Sequence, residues 1–312
     1  MDTQTPILHH YEISPYSEKI RLAFGIKSMA WRSVLIPIIM PKPDLTALTG
    51  GYRKTPVLQI GADIYCDTKL IVRTLDRLQP DPPLLPAGTE VRQTAMTKFG
   101  DAMFMIVVAV FFGSDNAIFG EIVFSDEEFI KDREKIIPGG INLELMKSIM
   151  PAKLDQLRAH LTMLESELGK GGPFLCGPSP TAADLAVRHA VLFLSASPTS
   201  ASLLEACPAV REWCEKIDAF GHGERSELDP AEAIEIARTA QSNTPASVGS
   251  DDPNGRKPGD MVMVMPEDFA RDPVAGELVY ADVYEIAIKR TDPRAGEVVV
   301  HFPREDMAVI SA

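Results

Sequence analysis

The chemistry this chain could do gathers first at Ser14-Pro15, just after the apolar run Ile7–His10. Serine caps helices well, and proline is favoured at the first helical position, so the pair predicts a helix opening at residue 15. A helix N-terminus presents unpaired N–H groups and a partial positive charge. It stabilises an anion, and a thiol placed there loses its proton more easily. The Ser14 hydroxyl could donate to such a sulfur and aim it. The same residue also serves as a plain N-cap, and local sequence does not separate the two roles.

Thr55-Pro56-Val57 is the second stretch. A proline before an apolar strand can sit in a cis turn, which would expose the N–H and C=O of Val57. An extended peptide ligand could pair along that edge like an added strand. A plain edge-strand proline is the alternative. Asp67-Thr68 is the third stretch, with Asp67 placed to cap the next helix. Met103, Phe104, Val107, Phe111 and Phe112 form a stripe that lines an apolar pocket or simply fills a core. His9, His10 and Tyr11 precede the Ser-Pro turn, and His10 or Tyr11 could approach it. Glu285, Asp292 and His301 have no metal-ligand spacing, and no metal is expected.

Alternating elements must position these residues. Pro6–His10, Ser33–Ile38, Pro56–Ile60 and Asp63–Cys66 read as strands, the last two joined by the Gly61-Ala62 hairpin. Pro15–Ile26 and Asp67–Leu78 carry the helical period. The order β-α-β-α-β-β-α is that of a thioredoxin-like domain, over residues 1–85. Gln79-Pro80-Asp81-Pro82-Pro83 ends it. Residues 89–241 read as all-helical, through Val91–Phe112, Pro151–Leu168, Thr181–Ser195, Pro208–Phe220 and Leu228–Ala240. A less regular stretch, Gly113–Asn142, is placed to cover a cleft. Residues 242–260 are rich in Ser, Pro, Gly and Asp and read as a linker. Beyond it the period becomes two, which predicts a small all-β, barrel-like module over 261–312.

The order and spacing of these stretches resemble the glutathione-binding domain of cytosolic glutathione transferases. Phe174-Leu-Cys-Gly-Pro-Ser-Pro-Thr-Ala-Ala-Asp184 is similar to that family's hallmark segment in the helical domain, with Thr181 and Asp184 forming a capping box whose role is folding. The resemblance covers residues 6–220 and is nearest to the serine- and cysteine-using classes. Ser14-Pro-Tyr-Ser17 stands where omega- and beta-like members carry cysteine, so mixed-disulfide chemistry is not expected there. The resemblance implies glutathione as co-substrate, bound by Ser14, Tyr16, Ser17, Lys54 or Arg53, Val57, Asp67 and Thr68. The sulfur would lie at Ser14, the peptide along Val57, and the γ-glutamyl end at Asp67-Thr68. A thiolate held at Ser14 would attack an apolar electrophile near Tyr11, Met103, Phe104, Val107 and Phe111. It also implies a homodimer. A non-catalytic binding protein of the same fold, or a glutathione-dependent isomerase or dehalogenase, are the alternatives.

Bulk properties narrow the partners. The chain has 312 residues and a net charge of −13, which argues against nucleic acid and anionic membrane. The N-terminal residues show no basic and apolar leader pattern, and the apolar run near Ala102–Phe112 is short for a bilayer. Four cysteines far apart, at 66, 176, 207 and 214, fit free thiols in a reducing cytoplasm.

Overall fold

The computed structural model describes residues 3–114, 127–136, 142–196 and 198–312. The N-terminal part runs β1 (Ile7–His10), α1 (Pro15–Ile26), β2 (Ala30–Leu35), α2 (Pro43–Thr49), β3 (Val57–Ile60), β4 (Asp63–Cys66) and α3 (Thr68–Leu78). This is the thioredoxin-like order expected. β1 pairs parallel with β2 and antiparallel with β3, and β3 pairs antiparallel with β4.

The helical part follows as α4 (Glu90–Gly113), α5 (Glu127–Glu134), α6 (Leu143–Lys170), α7 (Ala182–Leu192), a 3-10 turn (Phe193–Ala196), α8 (Pro198–Glu205) and α9 (Pro208–Asp218). α6 begins eight residues before the helix expected at Pro151, which it carries inside. Most of the stretch expected to cover the cleft, residues 115–126 and 137–141, lies outside the described residues. α4 is long and apolar enough, by length and composition only, to cross a bilayer. Here its Met103, Val107 and Val110 are buried in a core with Leu157 and Leu161 of α6 and Leu185 and Val187 of α7. The close crossing of α4 and α7 needs Gly100, because a Cβ there would lie 2.1 Å from the Ala186 carbonyl oxygen. Asp184 ties this domain together. Its carboxylate accepts from Thr181 N (2.9 Å), Leu175 N (2.8 Å) and Trp213 Nε1 (2.9 Å).

The remainder comprises β5 (Glu224–Glu227), α10 (Pro230–Thr239), β6 (Ser247–Val248), β7 (Met261–Pro266), β8 (Val274–Ala281), β9 (Glu285–Asp292), β10 (Gly296–Pro303) and β11 (Met307–Ser311). The C-terminal region is β-rich as expected, but it is not a closed barrel. β10 pairs parallel with β4, Val299 opposite Asp63 and His301 opposite Tyr65. One sheet therefore runs β11-β7-β8-β9-β10-β4-β3-β1-β2-β5, with β6 on β8. The physical reason is the free side of β4. An edge strand presents unpaired N–H and C=O groups, and β10 takes them. Residues 242–244, expected in a linker, are also anchored: Ser242 Oγ and Thr244 Oγ1 donate to Asp63 Oδ1 at 2.5 and 3.0 Å.

Two cores result. One joins α1 and α3 to the helical domain. The other lies on the opposite sheet face, where Ile7, Val57 and Ile64 meet Ile234 and Ile236 of α10 and Ile286, Val298 and Val300 of the C-terminal strands.

Candidate functional site

β1 delivers the chain to Ser14. Its last residue, His10, is followed by a turn in which Ser14 N donates to the Tyr11 carbonyl at 3.2 Å. Ser14 is the N-cap of α1: its Oγ accepts from Ser17 N at 3.1 Å, and Pro15 is the first helical residue. A hydroxyl that accepts from the backbone still has its own proton to donate. Ser14 is buried, 2% exposed, which puts that hydroxyl in a low-dielectric setting where a hydrogen bond to an anion counts for more.

Sheet register brings the other stretches to the same end. Val57 opens β3 opposite His9 on one side and Cys66 on the other, and Asp67 follows directly from Cys66. The Thr55–Pro56 bond is cis. β3 lies between β1 and β4, so Val57 is not on a sheet edge. Ladders on both sides leave only the start of the strand for a ligand. The expectation of pairing along its side is corrected.

Asp67 caps α3, its carboxylate accepting from Lys69 N at 2.9 Å. Its φ is +73°, a region that L-residues rarely adopt. Such strain costs on the order of 1–3 kcal/mol and gathers at functional sites. Thr68 Oγ1 accepts from Lys19 Nζ at 3.4 Å, which joins the first turns of α1 and α3. Lys19 was not singled out in the sequence. It is buried, and burial lowers its pKa, opposed by the nearby carboxylates of Asp101 and Asp67.

Tyr16 is partly exposed and Ser17 is buried. Tyr16 packs edge-on against Phe104 (5.2 Å between centroids) and against His189 (4.6 Å). Burial raises its hydroxyl pKa well above the usual value, and the carboxylates of Asp101, Asp67 and Asp268 push the same way. Ser17 is fully buried. Asp101, on α4, is pushed up by burial, and His189 Nε2 lies 4.0 Å from it. Of the stripe expected to line an apolar pocket, Met103, Val107 and Phe111 are core residues, each no more than 2% exposed. That expectation is corrected for these three. Met103 and Val107 share a core with residues of α6 and α7, whereas Tyr11, Phe104 and Phe112 remain partly exposed.

The cations around the site are largely spoken for. Arg53 Nη2 lies 2.6 Å from Asp132 of α5. Lys54 Nζ lies 2.5 Å from Asp268, in the loop between β7 and β8, with the Phe269 ring 4.2 Å away. Lys69 is paired with Asp306, in the loop between β10 and β11. Lys42 is different. This buried N-cap residue of α2 donates to Thr55 Oγ1 at 3.3 Å and lies 5.5 Å over the Tyr11 ring. It forms no ion pair among the described residues. Burial lowers its pKa to about 8, helped by the nearby Arg133. Sequence reasoning missed Lys42 because an isolated lysine before a proline carries no pattern. Only the tertiary fold puts it beside Thr55 and Tyr11.

A separate cleft of about 680 Å³ is lined by Met40, Pro41, Arg53, Lys131, Asp132 and Asp272. It contains none of the candidate residues except Arg53, whose charge is already matched. Among the described residues no group of histidine, cysteine and acidic side chains could hold a metal.

The fold is a thioredoxin-like domain joined to a helical domain. The family model for the glutathione S-transferase N-terminal domain matches residues 8–83, and that for the C-terminal domain matches residues 147–216. A GST-like protein from Pseudomonas syringae, solved at 2.4 Å, is 40% identical over 99% of this chain and 100% of its own, with a TM-score of 0.80. The chain belongs to the glutathione S-transferase family. A glutathione S-transferase from Methylobacillus flagellatus, solved with glutathione bound, shares the fold at 18% identity and a TM-score of 0.52, over 70% of this chain and 99% of its own. A β-etherase from Sphingobium is similar at 17% identity and a TM-score of 0.53, over 69% and 96%. The C-terminal strands are thus within the span shared with the Pseudomonas protein, whereas these two relatives match a smaller part of the chain. No curated protein matches.

Proposed function

We propose that the protein is a glutathione transferase that binds glutathione and activates its thiolate for attack on an apolar electrophile. The observation that carries this reading is the Lys19–Thr68 contact between the first turns of α1 and α3, beside the start of β3. Two helix N-termini then face one ligand. The α1 terminus and the Ser14 hydroxyl stabilise a thiolate. The α3 terminus takes the γ-glutamyl carboxylate, and the Asp67 carboxylate takes its ammonium. Lys42 and the first backbone groups of β3 at Val57 hold the glycine end. Catalysis comes from positioning and from stabilising the anion rather than from a covalent enzyme intermediate. A relative solved with glutathione bound supports the ligand. A homodimer and a cytoplasmic location follow from the family resemblance; conjugation, isomerisation and dehalogenation would all use the same thiolate.

A second reading is a binding protein of the same fold without turnover. The occupied state of Arg53 and Lys54 favours it, because both cations already hold carboxylates of this chain. Calorimetry with glutathione on the full chain, followed by turnover of a model aryl halide by wild type and Ser14→Ala, separates the readings. Binding with Ser14-dependent turnover supports the transferase. Binding without turnover, or no binding at millimolar glutathione, supports the second reading and contradicts the transferase.

A further inference from the structure

The C-terminal strands send two loops to the candidate site. The β7–β8 loop brings Asp268 and Phe269 onto Lys54, and the β10–β11 loop brings Asp306 onto Lys69. The loops brace each other, with Glu267 N donating to the Asp306 carbonyl at 3.0 Å. Each holds a non-glycine residue at positive φ, Ala270 at +53° and Asp306 at +62°. Strained backbone of this kind persists only where surrounding contacts impose it. Asp268 also lies near two tyrosines. Its charge acts on the hydroxyls of both Tyr16 and Tyr52, together with that of Asp67. Lys54 is mostly buried (15% exposed), whereas Asp268 is half exposed (49%). The carboxylate is therefore the partner that can be displaced or replaced without opening the core.

We propose that Asp268 is a specificity-determining residue of the thiol site: by occupying Lys54 it leaves a free glycine carboxylate with Lys42 as its cation, and so weakens the preference for that end group over a neutral amide or ester. The inference rests on the glutathione-binding reading above. A free glycine carboxylate that reaches Lys54 must first displace a carboxylate of the same chain, and near Asp268 the like charges repel. An amide end group meets neither opposition. The discrimination is the size of a partly exposed ion pair, about fivefold.

The test is calorimetry on the full chain with two ligands, glutathione and its glycine amide. Wild type, Asp268→Asn, Lys54→Met and the double variant are compared. Asp268→Asn is expected to tighten glutathione about fivefold while leaving the amide within about twofold. In the Lys54→Met background the same change should have a smaller selective effect, the part owed to repulsion alone. An Asp268→Asn variant that alters both ligands equally, or weakens glutathione, overturns the inference while leaving the site reading intact. Absence of binding by either ligand to every variant overturns the site reading and this inference with it. Asp268 is half exposed and its neighbours keep their own contacts, so the asparagine variant is expected to fold.

Discussion

Asp63 on β4 and His301 on β10 hold each other across the seam of the sheet, with His301 Nε2 3.0 Å from Asp63 Oδ1. On its other side His301 Nδ1 lies 2.6 Å from Glu285 of β9, whose second oxygen meets Arg77 of α3 at 2.7 Å. The Tyr65 ring stacks on the imidazole at 4.3 Å. Burial alone would lower the His301 pKa, but hydrogen bonds to Asp63 and Glu285 raise it. For both acids burial works upward, and the bonds to His301 nonetheless bring them below their usual values.

The seam should therefore set a window of stability in pH. A histidine with a raised pKa contributes fully below its unfolded value of about 6.5 and loses that contribution as pH rises through the folded value. Carboxylates with lowered pKa contribute above about 4 and lose it as pH falls through their folded values. Stability should be greatest between these limits. His301→Ala leaves two buried carboxylates without their shared cation and should cost about 3 kcal/mol. Urea unfolding across pH checks this: wild type should lose stability as pH rises through the folded value, and the variant should lack that fall.

Cutting the chain near Ser250 should not leave a soluble remainder. Removal of β7–β11 would leave β4 paired only with β3, bare on its other side, and uncover Ile7, Val57 and Ile64 of the second core. A bare edge strand beside an exposed apolar face aggregates. Light scattering of residues 1–250 tests this. A monodisperse, folded fragment would show that the seam is dispensable.

How far the sequence reached is instructive at this seam. The alternation of residues 261–302 announced strands correctly, because alternation is a local property. The pairing of β10 with β4 joins residues more than two hundred apart, and no local pattern encodes which edge a strand will find. His301 looked idle in sequence for the same reason. Ser14, Asp67 and Thr181-x-x-Asp184 were legible because caps are set by residue type at a helix start. Lys42, Lys19 and Asp268 were not, since each gains its place only from contacts between elements. Met103, Val107 and Phe111 carried a stripe that fits core and pocket equally, and packing against α6 and α7 decides for core.

Asp67 separates binding from folding. Asp67→Asn keeps a good cap and tolerates positive φ, but it removes the charge proposed to hold the γ-glutamyl ammonium. Glutathione affinity should fall about tenfold, in line with the ~1.5–3 kcal/mol of a hydrogen bond to a charged group. The melting temperature should stay near wild type. A large loss of melting temperature without selective loss of affinity would reduce Asp67 to a cap.

Lys42 predicts a pH dependence of binding. Its pKa lies at about 8, so its charge is present below that value and lost above it. S-methylglutathione has no thiol proton to confuse the titration. Its affinity should weaken as pH rises through about 8 in wild type, and Lys42→Gln should be weaker than wild type below that value and flat across the range.

The central claim is that Ser14 and the α1 N-terminus stabilise a bound thiolate. Its most direct test is an ultraviolet titration of the thiolate in the glutathione complex, on wild type and Ser14→Ala. The bound thiol should titrate at least about one pH unit below free glutathione in wild type and move back toward the free value in Ser14→Ala. A bound thiol that titrates like free glutathione in both proteins would contradict the account.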